Sequence, residues 1–253
     1  MESSTDTIEI NEFNINEQVL KGTFLIMGPP GSGKTTFVRI LSKYVAHLYP
    51  VARVHTSVAQ TDREYSDLFG SVYVHDEINW ENEKQFVKMR QKSLAKNITD
   101  ESPIKRCLYI IDDIDTTSKG CNNACCEDIF QKGSRHYNML TFVINQNPMK
   151  FNPTLRTSAS YIVFFNYNQP SVLDNIFKHY IPNNLFKDKK EFLSIYNQIT
   201  TKHTCMVIKN INMDSESTIM DRIFYYYCDK ELSEADIKFG CDEYKNYCLS
   251  AKL

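Results

Sequence analysis

The chain has 253 residues, with 29 Lys and Arg against 31 Asp and Glu, for a formal net charge of −2. That length suits one α/β domain, or one domain with a small appendage, and the near-neutral balance excludes a uniformly basic DNA-coating protein while leaving room for a local basic surface or a basic pore in an oligomer. No apolar run approaches a membrane span and Met1–Asn11 has no signal-peptide pattern, so the eight cysteines, none in a C-x-x-C pair, are expected to be reduced in a cytosol-like compartment.

Residues 1–20 are polar and acidic and read as a loosely packed arm ahead of a single domain over 21–253. Residues 22–27 form a short apolar strand. The loop Gly28-Pro29-Pro30-Gly31-Ser32-Gly33-Lys34-Thr35 fits G-x-x-x-x-G-K-[ST] at every fixed position. After it Phe37, Ile40, Leu41, Tyr44 and Val45 recur at helical spacing, predicting a helix over 33–48. Strand, glycine-rich loop and helix stand in the order a phosphate-binding loop requires. Glycines let several N–H groups converge on one anion, and the helix adds the positive end of its dipole. Gly28, Pro29, Pro30, Gly31, Ser32, Gly33, Lys34, Thr35 and Thr36 are the candidate nucleotide-binding residues. Lys34 reaches for the β- and γ-phosphates, and the Thr35 hydroxyl for Mg²⁺.

Val51–His55 alternates as a strand, 58–70 reads as a loop or short helix, and Ser71–His75 as a further strand. Residues 81–97 form an amphipathic helix whose Lys84, Lys88, Arg90, Lys92 and Lys96 make a basic outer face, more readily a solvated face than a nucleic-acid surface. Cys107–Asp113 is an apolar run ending in two carboxylates, as in a central parallel strand. Open α/β sheets place chemistry at the carboxyl ends of their strands. Asp112 is expected to meet the Thr35-bound Mg²⁺, and Asp113 to orient or deprotonate the attacking water. Asp115 is a weaker metal candidate, and Cys121, Cys125 and Cys126 cluster without a partner pair at zinc spacing.

Residues 122–132 predict a helix and Gly133-Ser134-Arg135-His136 a turn. Met139–Gln146 is another buried strand, whose terminal Gln146 either contacts the γ-phosphate or the attacking water or, as is commoner for such a glutamine, simply ends the strand in solvent, and Asn147-Pro148 breaks it. Tyr161–Asn166, Cys205–Ile208 and Ile223–Tyr227 read as strands, and 170–180 and 189–200 as helices. Residues 233–249 read as a terminal helix burying Ile237, Phe239, Tyr244 and Tyr247. Tyr225–Tyr227 offers rings for base stacking, but a packed strand is the better reading.

The succession GPPGSGKT, LYIIDD, GSRHYN, MLTFVINQNP and NPTLRTSASYIVFFNYNQPSVLDNIF, over roughly residues 20–230, resembles the FtsK/HerA superfamily of P-loop ATPases. Within it the chain is most similar to the genome-packaging ATPases of poxviruses, other large DNA viruses and virophages. The resemblance implies a RecA-like α/β fold with a mainly parallel central sheet flanked by helices. It implies ATP hydrolysis with Mg²⁺, driving double-stranded DNA through a hexameric or pentameric ring. It also implies work at a capsid vertex protein, and a place in the host cytoplasm (a viral factory) or the virion, with no membrane. It casts Gln146 as a polar sensor of the γ-phosphate. It calls for an arginine acting across a subunit interface; Arg135, after the helix that follows Asp112-Asp113, and Arg156, beyond the Gln146 strand, are both expected near the carboxyl edge of the sheet, with a preference for Arg156. Many cellular members carry Asp-Glu where this chain has Asp112-Asp113, which leaves the general base less certain. A nucleotide-dependent switch or a small-molecule kinase on a P-loop fold is the alternative, for which no lid motif stands out.

Overall fold

Apolar runs of about six residues separated by amphipathic segments predict strands covered by helices on both faces, and the chain folds that way. The computed structural model describes residues 9–15, 22–49, 51–57, 64–96, 106–113, 124–182, 185–210, 217–228, 239–240, 242–243 and 245–246. Among the described residues nine strands form one sheet: β1 (Asn11–Glu12), β2 (Gly22–Met27), β3 (Val51–Thr56), β4 (Val74–His75), β5 (Cys107–Asp112), β6 (Met139–Asn145), β7 (Tyr161–Phe164), β8 (Thr204–Lys209) and β9 (Ile223–Tyr227). Their order is β1-β9-β8-β7-β2-β6-β5-β3-β4. Every neighbouring pair is parallel except those made by β8, which runs antiparallel to β7 and β9. The strands β2, β5 and β6 are buried at every position.

Side chains alternate across a strand, so each central strand feeds two cores. Phe24, Ile26, Ile110, Phe142 and Ile144 face helix α1 (Lys34–Val45) and its buried Phe37, Val38 and Leu41. Leu25, Tyr109, Ile111, Val143 and Phe164 face the other side. That side is covered by α3 (Trp80–Lys96), α4 (Ala124–His136), α6 (Pro170–Tyr180) and α7 (Lys189–Ile199). The short helices are α2 (Ser66–Phe69), α5 (Pro153–Ser158) and α8 (Ile219–Arg222). No helix among the described residues is long and apolar enough to cross a membrane.

Several expectations change. Ser71–His75 is not a full strand: Gly70 at φ 80° turns the chain, Ser71–Tyr73 forms a 3₁₀ turn, and only Val74–His75 joins the sheet edge. Gly133–His136 is not a turn but the last stretch of α4; the reversal falls at Asn138, which takes the left-handed φ of 49° that asparagine tolerates. The first twenty residues are not uniformly loose. Asn11–Glu12 pairs with β9, and Phe13 is buried edge-to-face against Phe24, Tyr161 and Phe224. Arg90 turns away from the basic face and donates to the Tyr137 carbonyl at 2.7 Å, closing the end of α4. Lys84, Lys88 and Lys92 are exposed as expected. Phe239 is buried against Phe69, with ring centroids 4.4 Å apart. Most of the expected terminal helix, including Ile237, Tyr244 and Tyr247, lies outside the described residues, as do Asp115, Cys121 and the side chain of Lys96.

One charged cluster ties α3 to the sheet. Glu83 is fully buried and takes a fork from Arg53 on β3, at 2.8 Å from Nε to Oε2 and 2.5 Å from Nη2 to Oε1. The Tyr109 hydroxyl of β5 donates to Glu83 Oε2 at 2.9 Å, and His55 Nε2 lies 3.5 Å from Oε1. Burial pushes the Glu83 carboxyl up, but His55 and Arg53 outweigh it and hold it at about 2. Arg53 also lies over the Phe86 ring, 5.1 Å from its centroid.

Candidate functional site

The glycine-rich loop leaves β2 at the carboxyl end of the sheet and enters α1. Gly33 sits at φ 106°, which a side chain resists. Gly28 has a different reason for being glycine: a Cβ there would stand 2.6 Å from Ser32 Oγ and 2.7 Å from Phe165 Cβ. Phe165 is therefore the floor of the loop, fixed by its N–H to the Met27 carbonyl at 2.8 Å. Lys34 is buried and its Nζ donates to the Pro29 carbonyl at 2.8 Å, drawing the loop closed. The early N–H groups of α1 have no partner within the helix, as at any helix start. Ser32 Oγ is buried without a hydrogen-bond partner among the described residues. Free donors, a lysine and a helix dipole around one concavity fit a bound phosphate.

The carboxylates come from β5. Asp112 is two residues beyond Ile110, so the pleat turns it to the α1 face, toward the loop. Thr35 Oγ1 lies 3.4 Å from Asp112 Oδ2, and the buried Tyr65 hydroxyl donates to the same oxygen at 2.6 Å. Burial pushes the Asp112 carboxyl up, against the Tyr65 hydrogen bond and the Lys34 charge. Burial likewise lowers Lys34, against the pull of Asp112 and Asp113. A buried carboxylate beside a threonine hydroxyl is a hard-oxygen pair suited to Mg²⁺, which keeps several waters and needs few protein ligands. Among the described residues there is no cluster of three or more His, Cys, Asp or Glu able to hold a metal by itself.

Asp113 points elsewhere. It adopts φ 51°, its N–H reaches the Ile144 carbonyl at 3.1 Å, and its Oδ2 accepts from Gln146 Nε2 at 2.6 Å. Because β6 lies between β2 and β5, Gln146 at its tip stands between the loop and the carboxylates. Gln146 is braced from behind. Tyr167 Oη donates to its carbonyl at 2.6 Å, and the Tyr167 N–H donates to Tyr196 Oη at 3.0 Å. Tyr196 Oη in turn donates to the Phe165 carbonyl at 2.6 Å. The loop floor and the Gln146 strand tip thus share one support.

The two arginines are placed differently. Arg135 is exposed near the end of α4 and lines a cavity with Thr23, Ser158 and Ser160, at the amino end of β2 and β7. That is the sheet end opposite the phosphate loop, which corrects the expectation that it lies near the carboxyl edge; α4 starts beyond β5 and descends the full height of the sheet. Arg156 on α5 stacks 5.4 Å over the Tyr180 ring, whose hydroxyl donates to the Pro148 carbonyl just beyond β6. Of the tyrosine run, Tyr226 packs on Phe37, while Tyr225 and Tyr227 line a separate cavity near Glu9 and Gln198.

Sequence reasoning missed Tyr65, Phe165 and Tyr167, and also Glu64, His203 and Cys228. The last three line one cavity of about 300 Å³ with the loop residues Gly31–Thr36. Tyr65 lies 47 residues from Asp112, and nothing local announces the contact.

A family model described as "Poxvirus A32 protein" matches residues 11–240. The chain is similar to uncharacterized protein 075L of Invertebrate iridescent virus 6, at 27% identity over 220 residues, covering 87% of this chain and 82% of that one. Among solved structures, it is similar in fold to the genome packaging NTPase B204 from Sulfolobus turreted icosahedral virus 2 in complex with AMPPCP. That match has a TM-score of 0.51 at 16% identity, covering 78% of this chain and 94% of that one. A second match, to the pCW3 conjugation coupling protein TcpA with ATPγS, has a TM-score of 0.56 at 12% identity, covering 96% of this chain and 74% of that one.

Proposed function

Because the chain belongs to the poxvirus A32 protein family, we propose that it is an ATP-hydrolysing motor that moves double-stranded DNA and packages a viral genome into its capsid. The observation that carries this reading is the convergence at one sheet end of the phosphate loop, the Thr35–Asp112 pair and the Gln146–Asp113 pair. ATP lies along the loop, with the backbone N–H groups and Lys34 countering the charge of the β- and γ-phosphates. Thr35 and Asp112 would hold Mg²⁺, which would supply positive charge to offset that of the phosphates. Asp113, aimed by Gln146, takes the proton of the attacking water, and the Gln146 amide reports the presence of the γ-phosphate. An arginine from a neighbouring subunit completes the charge stabilisation in the transition state. Residues 21–253 act as one ATPase domain, with residues 1–20 as an arm that docks on its sheet through Asn11–Phe13. Subunits assemble as a hexameric or pentameric ring around the DNA, at a capsid vertex, in the host cytoplasm or the virion.

The test is ATP turnover with and without double-stranded DNA, together with native mass. DNA-stimulated turnover by a ring is expected. A monomer whose turnover ignores DNA overturns the motor and leaves a simple ATPase.

A further inference from the structure

The strand order gives the phosphate loop two unlike flanks. On one side of β2 stand β6 and β5, carrying Gln146, Asp112 and Asp113. On the other stand β7, β8 and β9. A nucleoside triphosphate whose γ-phosphate faces the carboxylates must extend its ribose and base toward the second flank. There the antiparallel run of β8 brings its amino end level with the carboxyl ends of β7 and β9. His203, immediately before β8, and Cys228, immediately after β9, therefore meet at loop height, joined by the Cys228 N–H to the His203 carbonyl at 2.8 Å. Both line the cavity of about 300 Å³ that Gly31–Thr36 line from below. His203 is half-buried and holds φ 62°, a conformation that histidine adopts at some cost and that recurs at ligand clamps. Cys228 is buried and adds an apolar wall.

We infer that His203 and Cys228 form the nucleoside subsite of the phosphate-loop site, with the His203 imidazole lying against the base or ribose. This rests on the nucleotide-binding reading above. An imidazole face stacks on any base, and a thiol wall offers no strong donor pattern, so the subsite contributes affinity more than choice among purines. It also gives the antiparallel β8–β9 pair a role: it returns the chain to the loop from the side away from the carboxylates.

The experiment displaces a fluorescent ATP analogue with three probes: ATP, AMP and inorganic tripolyphosphate. His203→Asn keeps a residue that tolerates the left-handed backbone while removing the ring, and His203→Gly relaxes the backbone as a second variant. Both are expected to weaken displacement by ATP and AMP about tenfold and to leave tripolyphosphate unchanged, which also reports an intact fold. Equal weakening of tripolyphosphate, or no change with any probe, overturns the subsite. If the unaltered chain binds none of the three, the phosphate-loop reading itself falls, and this inference with it.

Discussion

The Gln146 side-chain amide grips the Asp113 carboxylate at 2.6 Å, joining the tip of β6 to the residue after β5. A lone surface aspartate has many orientations; this one is held from the side by an amide whose own backbone carbonyl is held by Tyr167. Asp113→Asn is expected to spare ATP binding and to lower turnover by a factor of about 10²–10⁴, because only proton transfer is lost. Gln146→Leu keeps the carboxylate but frees it, so kcat falls with a smaller change in KM. Steady-state kinetics beside ATP titration distinguishes the two. Asp113→Asn turning over at the original rate excludes Asp113 as the base.

Lys34→Ala removes a charge-assisted contact to the phosphates, worth about 2 kcal/mol or more, so affinity is expected to fall about thirtyfold. Titration with fluorescent ATP measures it. Unchanged affinity and turnover exclude the phosphate-loop assignment.

Tyr65→Phe deletes only the hydroxyl that donates to Asp112 Oδ2 at 2.6 Å. Residues that orient a metal's ligands typically contribute ten- to a hundredfold to its affinity, and the Mg²⁺ concentration for half-maximal turnover is expected to rise by about that factor. A Mg²⁺ titration of ATPase activity reads this directly. An unchanged midpoint shows that Asp112 does not depend on Tyr65.

The Glu83 cluster sets a pH dependence of stability. Its folded carboxyl is held at about 2, below the ordinary 4.5. A depressed pKa contributes stability that is fully present above about 4.5 and is lost as pH falls toward about 2. The difference corresponds to about 3 kcal/mol. Glu83→Gln leaves Arg53 and His55 facing a neutral amide, so at pH 7 a loss of about 3–5 kcal/mol is expected. Denaturant unfolding from pH 7 to pH 3 checks both: the gap between the variant and the parent narrows as the pH drops. A gap independent of pH excludes Glu83 as its source.

Arg156 is tested by mixing subunits. A chain with Arg156→Ala and an intact loop is combined with a chain carrying Lys34→Ala and an intact Arg156. Turnover that neither shows alone is the expected result for an arginine acting across an interface. Recovery with Arg135→Ala in place of Arg156→Ala moves the role to Arg135, and recovery with neither removes the shared site.

Short-range patterns made the loop, the Asp112–Asp113 strand end and the Gln146 strand legible in the sequence, because each is written in consecutive residues. Gly133 misled because glycine commonly marks turns. Here it lies inside α4 against β6, where a Cβ would meet Thr141 Oγ1 at 3.6 Å, an ordinary contact. The chain's actual reversal uses Asn138, a weaker signal. Tyr65, Phe165 and His203 were illegible for a different reason. Each reaches the site through the order in which strands stack, and apolar runs do not announce whether a neighbour is parallel or antiparallel.

The pairing of Asn11–Glu12 with Phe224–Tyr225 joins residues more than two hundred positions apart. Loop-closure entropy over so long a separation makes such a contact slow to form. The β1 segment is thus among the last to dock. Until it does, β9 presents an open row of N–H and C=O groups, a template for another chain. A folding chain is most exposed to edge-to-edge association during that interval, so β1 serves as a closing clasp on the sheet.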